Sequence, residues 1–282
     1  AFNTAAGDQL GGAVALSADG GTLVIGARSE DSSATGVNGV AASTAKKSDS
    51  GAVYVYTKTD SGWGPQAYFK APFVDNSDNF GHAVAVSADG NTVAVSAINE
   101  DSDATGIDGN GKDNSRTNSG AVYVYTRNAG NWVLHAYVKP SKTEASDNFG
   151  VTVALSGDGQ TLAVGARNVS DNAAGVIYVF ARGATTWAQQ AVLKASNMES
   201  NDELGVMGLS LSHDGSTLAA GAINEDSNAK GIGGNKANNS AANSGAVYVF
   251  VRTFIHWSEQ AYIKPTNTDT QDLFGYRTSL SA

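Results

Sequence analysis

The chain has 282 residues, a formal net charge of −9 and no cysteine. The excess of acidic residues argues against a nucleic-acid partner and against an anionic membrane surface. Without cysteine a disulfide-stabilised scaffold is excluded, and no apolar segment has transmembrane length, so no membrane insertion is expected in this segment.

Short apolar segments separated by turn residues predict β-strands and no helix. Between Asp78 and Ser146 there are four such segments, at 81–87, 92–97, 120–126 and 132–139. Val, Tyr and Thr dominate them, and Gly, Asn and Asp cluster between them, as is typical of strands and their turns. One such unit therefore predicts four antiparallel strands, about the content of one propeller blade.

The same unit recurs along the chain. Its markers are a tryptophan, at positions 63, 132, 187 and 257, and a glycine after a bulky apolar residue, at positions 11, 81, 150, 205 and 275. Two markers with one rhythm indicate tandem copies of a structural unit. The predicted repeats of this single, partial propeller are 8–77, 78–146, 147–201, 202–271 and an incomplete 272–282.

Side-chain size favours blades arranged around an axis. The first two strands of each unit consist of Gly, Ala, Val and Leu, whereas the third and fourth contain every tryptophan and pairs such as Tyr123 and Tyr125. Radial sheets crowd together near the axis, so small residues suit the inner strands. The third strand is apolar on both faces, which predicts a sheet covered on both sides.

Three motifs resemble the FG-GAP repeat, the blade motif of the integrin alpha-subunit head and of many bacterial secreted or surface proteins. They are Phe80-Gly81, Gly165-Ala166 and the run Gly-Ala-Val-Tyr-Val-Tyr at 120–125, with their copies in the other units. The resemblance covers essentially the whole chain and implies an all-β propeller. Such propellers usually close with seven blades, so the four units and the start of a fifth imply part of a larger ring. A four-bladed ring is the alternative.

The loops between the second and third strands are the predicted functional regions. They have 22 or 23 residues in units one, two and four but only 8 in unit three, and loops of that length are usually functional or disordered. The three long loops share one pattern, at 30–37, 100–107 and 225–232. They are expected on one acidic propeller face, together with the linkers between blades.

Calcium is a candidate ligand of these loops. Asp101, Asp103 and Thr105 before Gly106 give alternating oxygen ligands and a turn glycine, and Asp108 adds a carboxylate. Asp31 and Asp226 are the weaker counterparts in units one and four. Lys112 stands where an EF-hand loop has its bidentate glutamate. The alternative is a network of Asx-turns, in which Asp and Ser side chains bond nearby backbone amides.

Other recurrent residues have structural interpretations. The aspartates three positions before each marker glycine, such as Asp78, are expected to fix the linker turn. The lysines that end the fourth strands, at positions 70, 139, 194 and 264, are expected to be solvated. The tryptophans are expected to pack at the blade rim, with a stacking platform for sugars as the alternative. The turns between first and second strands contain one carboxylate each, which predicts hairpins.

No catalytic constellation is visible. The four histidines occupy four different positions of the repeat, and no nucleophile elbow or metalloprotease motif occurs. The sequence thus predicts a non-catalytic extracellular or cell-surface module, from a secreted bacterial chain, that binds a protein or glycan. A carbohydrate-binding or carbohydrate-cleaving propeller and a structural subunit of a surface assembly are the alternatives.

Overall fold

The computed structural model describes residues 5–40, 46–168 and 174–281, and its strands form four antiparallel sheets of four strands. Sheet 1 contains β1 (Leu10–Leu16), β2 (Thr22–Ala27), β3 (Ala52–Thr59) and β4 (Gly62–Phe69), and sheet 2 contains β5 (Phe80–Val86), β6 (Thr92–Ala97), β7 (Ala121–Asn128) and β8 (Asn131–Val138). Sheet 3 contains β9 (Thr152–Leu155), β10 (Thr161–Ala166), β11 (Val176–Arg182) and β12 (Trp187–Leu193), and sheet 4 contains β13 (Leu204–Leu211), β14 (Thr217–Ala222), β15 (Ala246–Thr253) and β16 (His256–Ile263). Over these ranges no helix is long and apolar enough to cross a membrane.

Each sheet packs its valine side against the aromatic side of the next sheet. Val53 and Val55 of β3 share an apolar cluster with Tyr123 and Tyr125 of β7. The same arrangement joins β7 to β11 and β11 to β15. The rings of Phe69 and Tyr125 stack with their centroids 4.4 Å apart. The prediction that the third strand is apolar on both faces is confirmed, because alternate side chains of one strand belong to two different interfaces.

The first strands line the centre of the assembly. β1 contacts β5, β5 contacts β9, and β9 contacts β13, so the small residues of these strands lie where the sheets crowd together. The sheets are therefore blades in a β-propeller arrangement, and the predicted all-β fold is confirmed. In the part of the chain described, each apolar cluster joins consecutive sheets or lies within sheet 1, and none joins sheet 4 to sheet 1. A seven-bladed ring stays a prediction.

Each linker between two sheets contacts the preceding sheet at its marker glycine. Gly81 has a φ of +90°, and a Cβ there would lie 2.5 Å from the carbonyl oxygen of Ala52. Just before it, the Phe80 amide donates to the Ser50 carbonyl (2.9 Å). Only glycine combines this backbone conformation with such a close approach. The Phe-Gly rhythm in the sequence therefore records the contact between successive blades.

The turns between first and second strands are hairpins, as predicted, and a serine and an aspartate fix each one. In sheet 2, Ser87 Oγ donates to Asp89 Oδ1 (2.6 Å) and accepts from the Thr92 amide (2.9 Å). The Asn91 amide also donates to Asp89. These hydrogen bonds lower the pKa of Asp89 against the opposing effect of burial, which is the largest single cause acting on it. The carboxylate of this turn is thus committed to the hairpin itself.

Candidate functional site: the loop face

The loop face consists of the described parts of the three long loops, at 28–40 with 46–51, at 98–120 and at 223–245. Each connects the second strand of its sheet to the third, so all three lie at the end where the linkers between sheets also lie. Each loop turns back along the fourth strand of its own sheet. In sheet 2 the Asp108 amide donates to the Tyr137 carbonyl (2.8 Å), and the Lys139 amide donates to the Gly106 carbonyl (2.9 Å). The loop therefore covers the outer edge strand, which would otherwise be open to pairing.

A buried ion pair anchors each long loop. Lys70 donates to Glu30 (2.8 Å), Lys139 to Glu100 (2.8 Å) and Lys264 to Glu225 (2.9 Å). The expectation that these three lysines are solvated is wrong, because their exposed fractions are 0%, 0% and 2%. Each lysine directly follows a fourth strand and lies under its loop, where the loop glutamate contacts it. Burial lowers the pKa of Lys139, and the Glu100 carboxylate opposes that shift.

Serine and tyrosine side chains bond to each buried ion pair. We call the lysine, the glutamate and these two side chains the Lys–Glu frame. Lys139 Nζ also donates to Ser119 Oγ (2.7 Å), which in turn donates to the Glu100 carbonyl (3.0 Å). The Tyr137 hydroxyl donates to the second oxygen of Glu100 (2.7 Å). Equivalent bonds join Lys264, Ser244, Tyr262 and Glu225 in sheet 4. A buried pair with its remaining hydrogen-bonding groups satisfied can hold a loop in one conformation.

Sheet 3 differs from the other three sheets at the positions of this frame. Its lysine, Lys194, is exposed, as predicted. The sequence has Val169, Ala174 and Val192 at the positions equivalent to Glu100, Ser119 and Tyr137. The loop glutamate, the serine and the tyrosine are thus lost together with the long loop. The joint absence of these three residues from unit three is visible when the four units of the sequence are aligned. The prediction that all four lysines are solvated did not take it into account.

The aspartate after each loop glutamate organises the loop backbone. Asp101 Oδ1 accepts from the Asn118 amide (2.7 Å), and Asp226 Oδ1 accepts from the Asn243 amide (2.7 Å). In sheet 1, Asp31 Oδ1 accepts from the Asp49 amide (3.0 Å). These bonds join the two ends of each loop. As in the Asx-turn alternative, these carboxylates bond backbone amides, but the amides lie 17 or 18 positions away in the chain rather than in a local turn.

Asp108 also serves the loop backbone. It has a φ of +56°, in the left-handed region, and its Oδ1 accepts from the Tyr137 amide (2.9 Å). Asn38 makes the same bond to Tyr68 in sheet 1 (2.9 Å). A short polar side chain is favoured here because it tolerates the left-handed conformation and satisfies an edge amide.

Asp103 and Thr105 are placed differently, at the exposed surface of the second loop. They line a cavity of about 600 Å³ beside the following linker, together with Arg116, Ser141, Lys142, Thr143, Glu144 and Ala145. The structure thus separates the four predicted calcium ligands, since Asp101 and Asp108 bond backbone amides. Among residues 5–40, 46–168 and 174–281, no group of three or more acidic or histidine side chains could hold a metal ion. Calcium binding stays a prediction.

The linker aspartates fix the linker turns, as predicted. Asp78 Oδ2 accepts from the Asp75 amide (2.8 Å), Asp147 from Glu144 (2.9 Å) and Asp202 from Glu199 (2.9 Å). Asp78 is nearly fully buried. Burial, with a smaller contribution from nearby Glu100, raises the pKa of Asp78 from its ordinary value of 3.8 to about 7. Asp202 is likewise raised to about 7.

The Asp78 carboxyl predicts a pH-dependent stability. Its raised pKa means that the native state binds the proton more tightly than the unfolded chain does, so the stabilising effect of this proton is lost as pH rises through about 7. Asp78→Asn keeps an acceptor for the Asp75 amide and removes the charge. We expect the free energy of unfolding of the variant, relative to that of the wild type, to increase by roughly 1–3 kcal/mol as the pH rises from about 5 to about 8. Urea unfolding at a series of pH values measures this difference.

Asp89→Asn is the control for this experiment. Burial acts to raise the pKa of Asp89, but hydrogen bonds from Ser87 and Asn91 outweigh it and lower that pKa, so this carboxyl is ionised in both states over that range. The difference between this variant and the wild type should therefore not depend on pH. A pH-independent difference for Asp78→Asn as well would contradict the assignment.

The tryptophans pack at the interfaces between sheets. Trp132 and Trp187 are 6% and 2% exposed, and Trp132 donates to Gln66 of the preceding sheet (3.0 Å). Trp257 donates likewise to Gln190 (2.8 Å). Trp63 differs, since 46% of it is exposed. The packing interpretation is confirmed for the buried rings, which present no platform for a sugar.

An FG-GAP repeat model matches residues 132–180, from β8 to β11, which confirms the resemblance over those residues. A comparison with curated proteins gives no match. Among solved structures, Sqt1 of Chaetomium thermophilum is 14% identical with a TM-score of 0.44, covering 86% of this chain and 44% of that one. TolB of Acinetobacter baumannii is 10% identical with a TM-score of 0.40, covering 92% of this chain and 55% of that one. The chain spans about half the length of these two proteins.

Proposed function

We propose that this FG-GAP repeat protein is a non-catalytic binding or adhesion module of the extracellular space or cell surface. It binds a protein ligand through the loop face. The repeat itself supports a propeller module of the binding or adhesive type. Loops supported by a rigid scaffold are where such modules present their contacts.

The observation that carries this proposal is the buried Lys–Glu frame beneath each long loop. Ordering a free loop on binding costs affinity, so a binding surface gains when its loops are already fixed. Here Lys139, Glu100 and Ser119 fix the loop from below by bonds of 3.0 Å or less. The outer side chains of the loop make none of these bonds, and they are left to contact a ligand.

The cavity beside the second loop indicates what chemistry this ligand presents. Asp103 and Glu144 provide carboxylates, and Arg116 and Lys142 provide cations, around one opening. Lys142 and Glu144 are paired with each other. A wall with both signs of charge suits a polar protein segment that carries both, through electrostatic complementarity. The positive charges of Arg116 and Lys142 disfavour binding of a divalent metal ion in the same cavity.

A displayed library of random peptides, selected on the immobilised chain, tests the proposal. Selected peptides are then titrated against Asp103→Asn/Arg116→Ala, with calcium and with chelator. The matched control is Lys58→Ala/Asp60→Asn, which removes one cation and one carboxylate from the exposed hairpin at the opposite end of sheet 1. We expect the loop variant to bind at least about tenfold more weakly, or about 1.4 kcal/mol.

Three other results would change the assignment of the binding surface or of its ligand. Equal affinity for the loop variant, with a loss in the hairpin control, would move the binding surface to the other end and contradict the proposal. An affinity that falls with chelator would assign calcium a role on this face. Binding to a glycan array that the loop variant abolishes would instead support the carbohydrate-binding alternative.

A further inference from the structure

The outer edge of sheet 3 lacks the cover that the other three sheets have. In sheets 1, 2 and 4 the long loop places Val37, Ile107 or Ile232 in a bridge opposite the last residue of the fourth strand. The loop of sheet 3 has 8 residues instead of 22 or 23. In the part of the chain that the structure describes, β12 has no such bridge. We call the outer edge of β12 and the following residue, at 192–194, the open edge of sheet 3.

Side-chain exposure shows the missing cover directly. Val192 is 41% exposed, whereas Tyr137, at the same position of sheet 2, is 3% exposed. Lys194 is exposed, whereas Lys139 is fully buried. Both faces of sheet 3 nevertheless pack in apolar clusters, one shared with sheet 2 and the other with sheet 4. The difference from sheet 2 therefore lies at the edge and not in the packing of the faces.

The strand register assigns the backbone groups at this edge. Tyr137 is opposite Tyr123, and Val192 is opposite Tyr178, so Tyr137 and Val192 are equivalent. The Tyr137 carbonyl accepts from the Asp108 amide (2.8 Å), and the Tyr137 amide donates to Asp108 Oδ1 (2.9 Å). Val192 likewise has its amide and carbonyl on the outer side, where no described residue bonds to them. Such groups on an edge strand are a template for pairing with another chain.

The covering segments of the other sheets show what fits against this edge. They are Gly36-Val37-Asn38, Gly106-Ile107-Asp108 and Gly231-Ile232-Gly233. In each, an apolar residue lies between two residues with φ between +53° and +72°, a region that favours glycine, asparagine and aspartate. A glutamate stands seven positions before the apolar residue and pairs with the lysine after the fourth strand. We call this combination the covering pattern.

We propose that the open edge of sheet 3 binds a segment of a partner protein that carries the covering pattern. The apolar residue of the partner lies opposite Leu193, as Ile107 lies opposite Val138. The next amide of the partner donates to the Val192 carbonyl. The carboxylate of the partner reaches Lys194, to which the loop of sheet 3 supplies no glutamate. Addition of a segment to a sheet edge is a general mode of peptide recognition, in which main-chain hydrogen bonds provide affinity.

A second copy of the chain does not supply this segment. Its own covering segments are bonded to their own sheets, since the amides of Lys70, Lys139 and Lys264 donate to the carbonyls of Gly36, Gly106 and Gly231 at 2.9–3.0 Å. The occupant is therefore a different protein. The open edge of sheet 3 also shares no residue with the cavity beside the second loop, so this site is additional to the loop face.

A synthetic peptide with the sequence of residues 100–110 is the probe, because it contains the whole covering pattern. Its binding to the full chain is measured by fluorescence anisotropy, and we expect a Kd below about 1 mM. Val192→Pro should weaken binding at least about tenfold, because proline removes the outward amide, which would donate to the peptide carboxylate. Val192→Thr keeps that amide and is the matched control, with an affinity within about twofold of the wild type.

Two peptides with one amide replaced by an ester test the contact without any change to the protein. An ester at the position of Asp108 removes the amide that donates to the Val192 carbonyl, and we expect about fivefold weaker binding. An ester at the position of Thr105 removes an amide that makes no backbone bond in the second loop, and it should leave the affinity unchanged. Glu100→Gln in the peptide should weaken binding about threefold to the wild type but not to Lys194→Met.

Folding of the Val192 variants is checked by their thermal midpoints and near-ultraviolet circular dichroism, and the ester peptides decide if Val192→Pro does not fold. The proposal is overturned if the unmodified peptide shows no saturable binding up to about 1 mM. Equal affinities of the two ester peptides also overturn it, because the peptide then does not bond along the edge. Binding that Asp103→Asn/Arg116→Ala abolishes would place the peptide on the loop face and overturn it as well.

Discussion

Lys139→Met is expected to lower the free energy of unfolding by about 3–5 kcal/mol, because it leaves the Glu100 carboxylate buried without its cation. The lysine is 0% exposed and donates to Glu100, to Ser119 and to the Ser102 carbonyl at distances of 2.7–3.1 Å. Methionine fills much of the same space but donates nothing. Urea unfolding of the wild type and the variant measures the difference.

Lys194→Met is the matched control, since this lysine directly follows β12, as Lys139 follows β8, but is exposed. We expect its effect to stay within about 0.5 kcal/mol. Glu100→Gln/Lys139→Met should lose less than Lys139→Met alone, because no charge is then left unpaired. Similar losses for Lys139→Met and Lys194→Met would show that the buried pair does not anchor the loop.

The fold was predictable from the sequence because its determinants repeat. In the unit from Asp78 to Ser146 the predicted strands agree with β5 to β8 within two residues. The alternation of Val and Tyr in β7 showed that both faces are covered, since side chains point to opposite faces with a period of two. Glycine, tryptophan and aspartate markers recur together, at steps of 69 or 70 residues and one step of 55. The prediction for one unit therefore applied to the other three.

The arrangement of the loop face was less predictable, because it depends on contacts between residues far apart in the chain. Glu100 and Lys139 are 39 positions apart, and lysines at strand ends are usually solvated. Asp101 and Asp108 are two of the predicted calcium ligands, but their oxygens accept hydrogen bonds from backbone amides. Sequence spacing fixes which oxygens are near each other, whereas the fold decides which donors reach them first.

The second large effect is expected at Gly120, where the loop enters β7. Gly120 has a φ of +80°, and a Cβ there would lie 2.2 Å from the Phe149 carbonyl oxygen and 2.6 Å from its nitrogen. Both are backbone atoms, so rotating a side chain cannot relieve the clash. Gly120→Ala should therefore break the bond from the Phe149 amide to the Ser119 carbonyl (3.0 Å) and separate the linker from sheet 2. We expect a loss of about 3 kcal/mol or more in urea unfolding.

Gly106→Ala separates the two causes of this loss. Gly106 has a φ of +72° in the same loop, but no atom lies within 4 Å of its Cβ position. Alanine there should cost only the left-handed backbone conformation, about 1–2 kcal/mol. The difference between the two variants then measures the steric contact between the loop and the next linker. Equal losses would mean that this contact yields easily; a larger loss at Gly120 would show that the same backbone contact that joins successive blades also fixes the loop face.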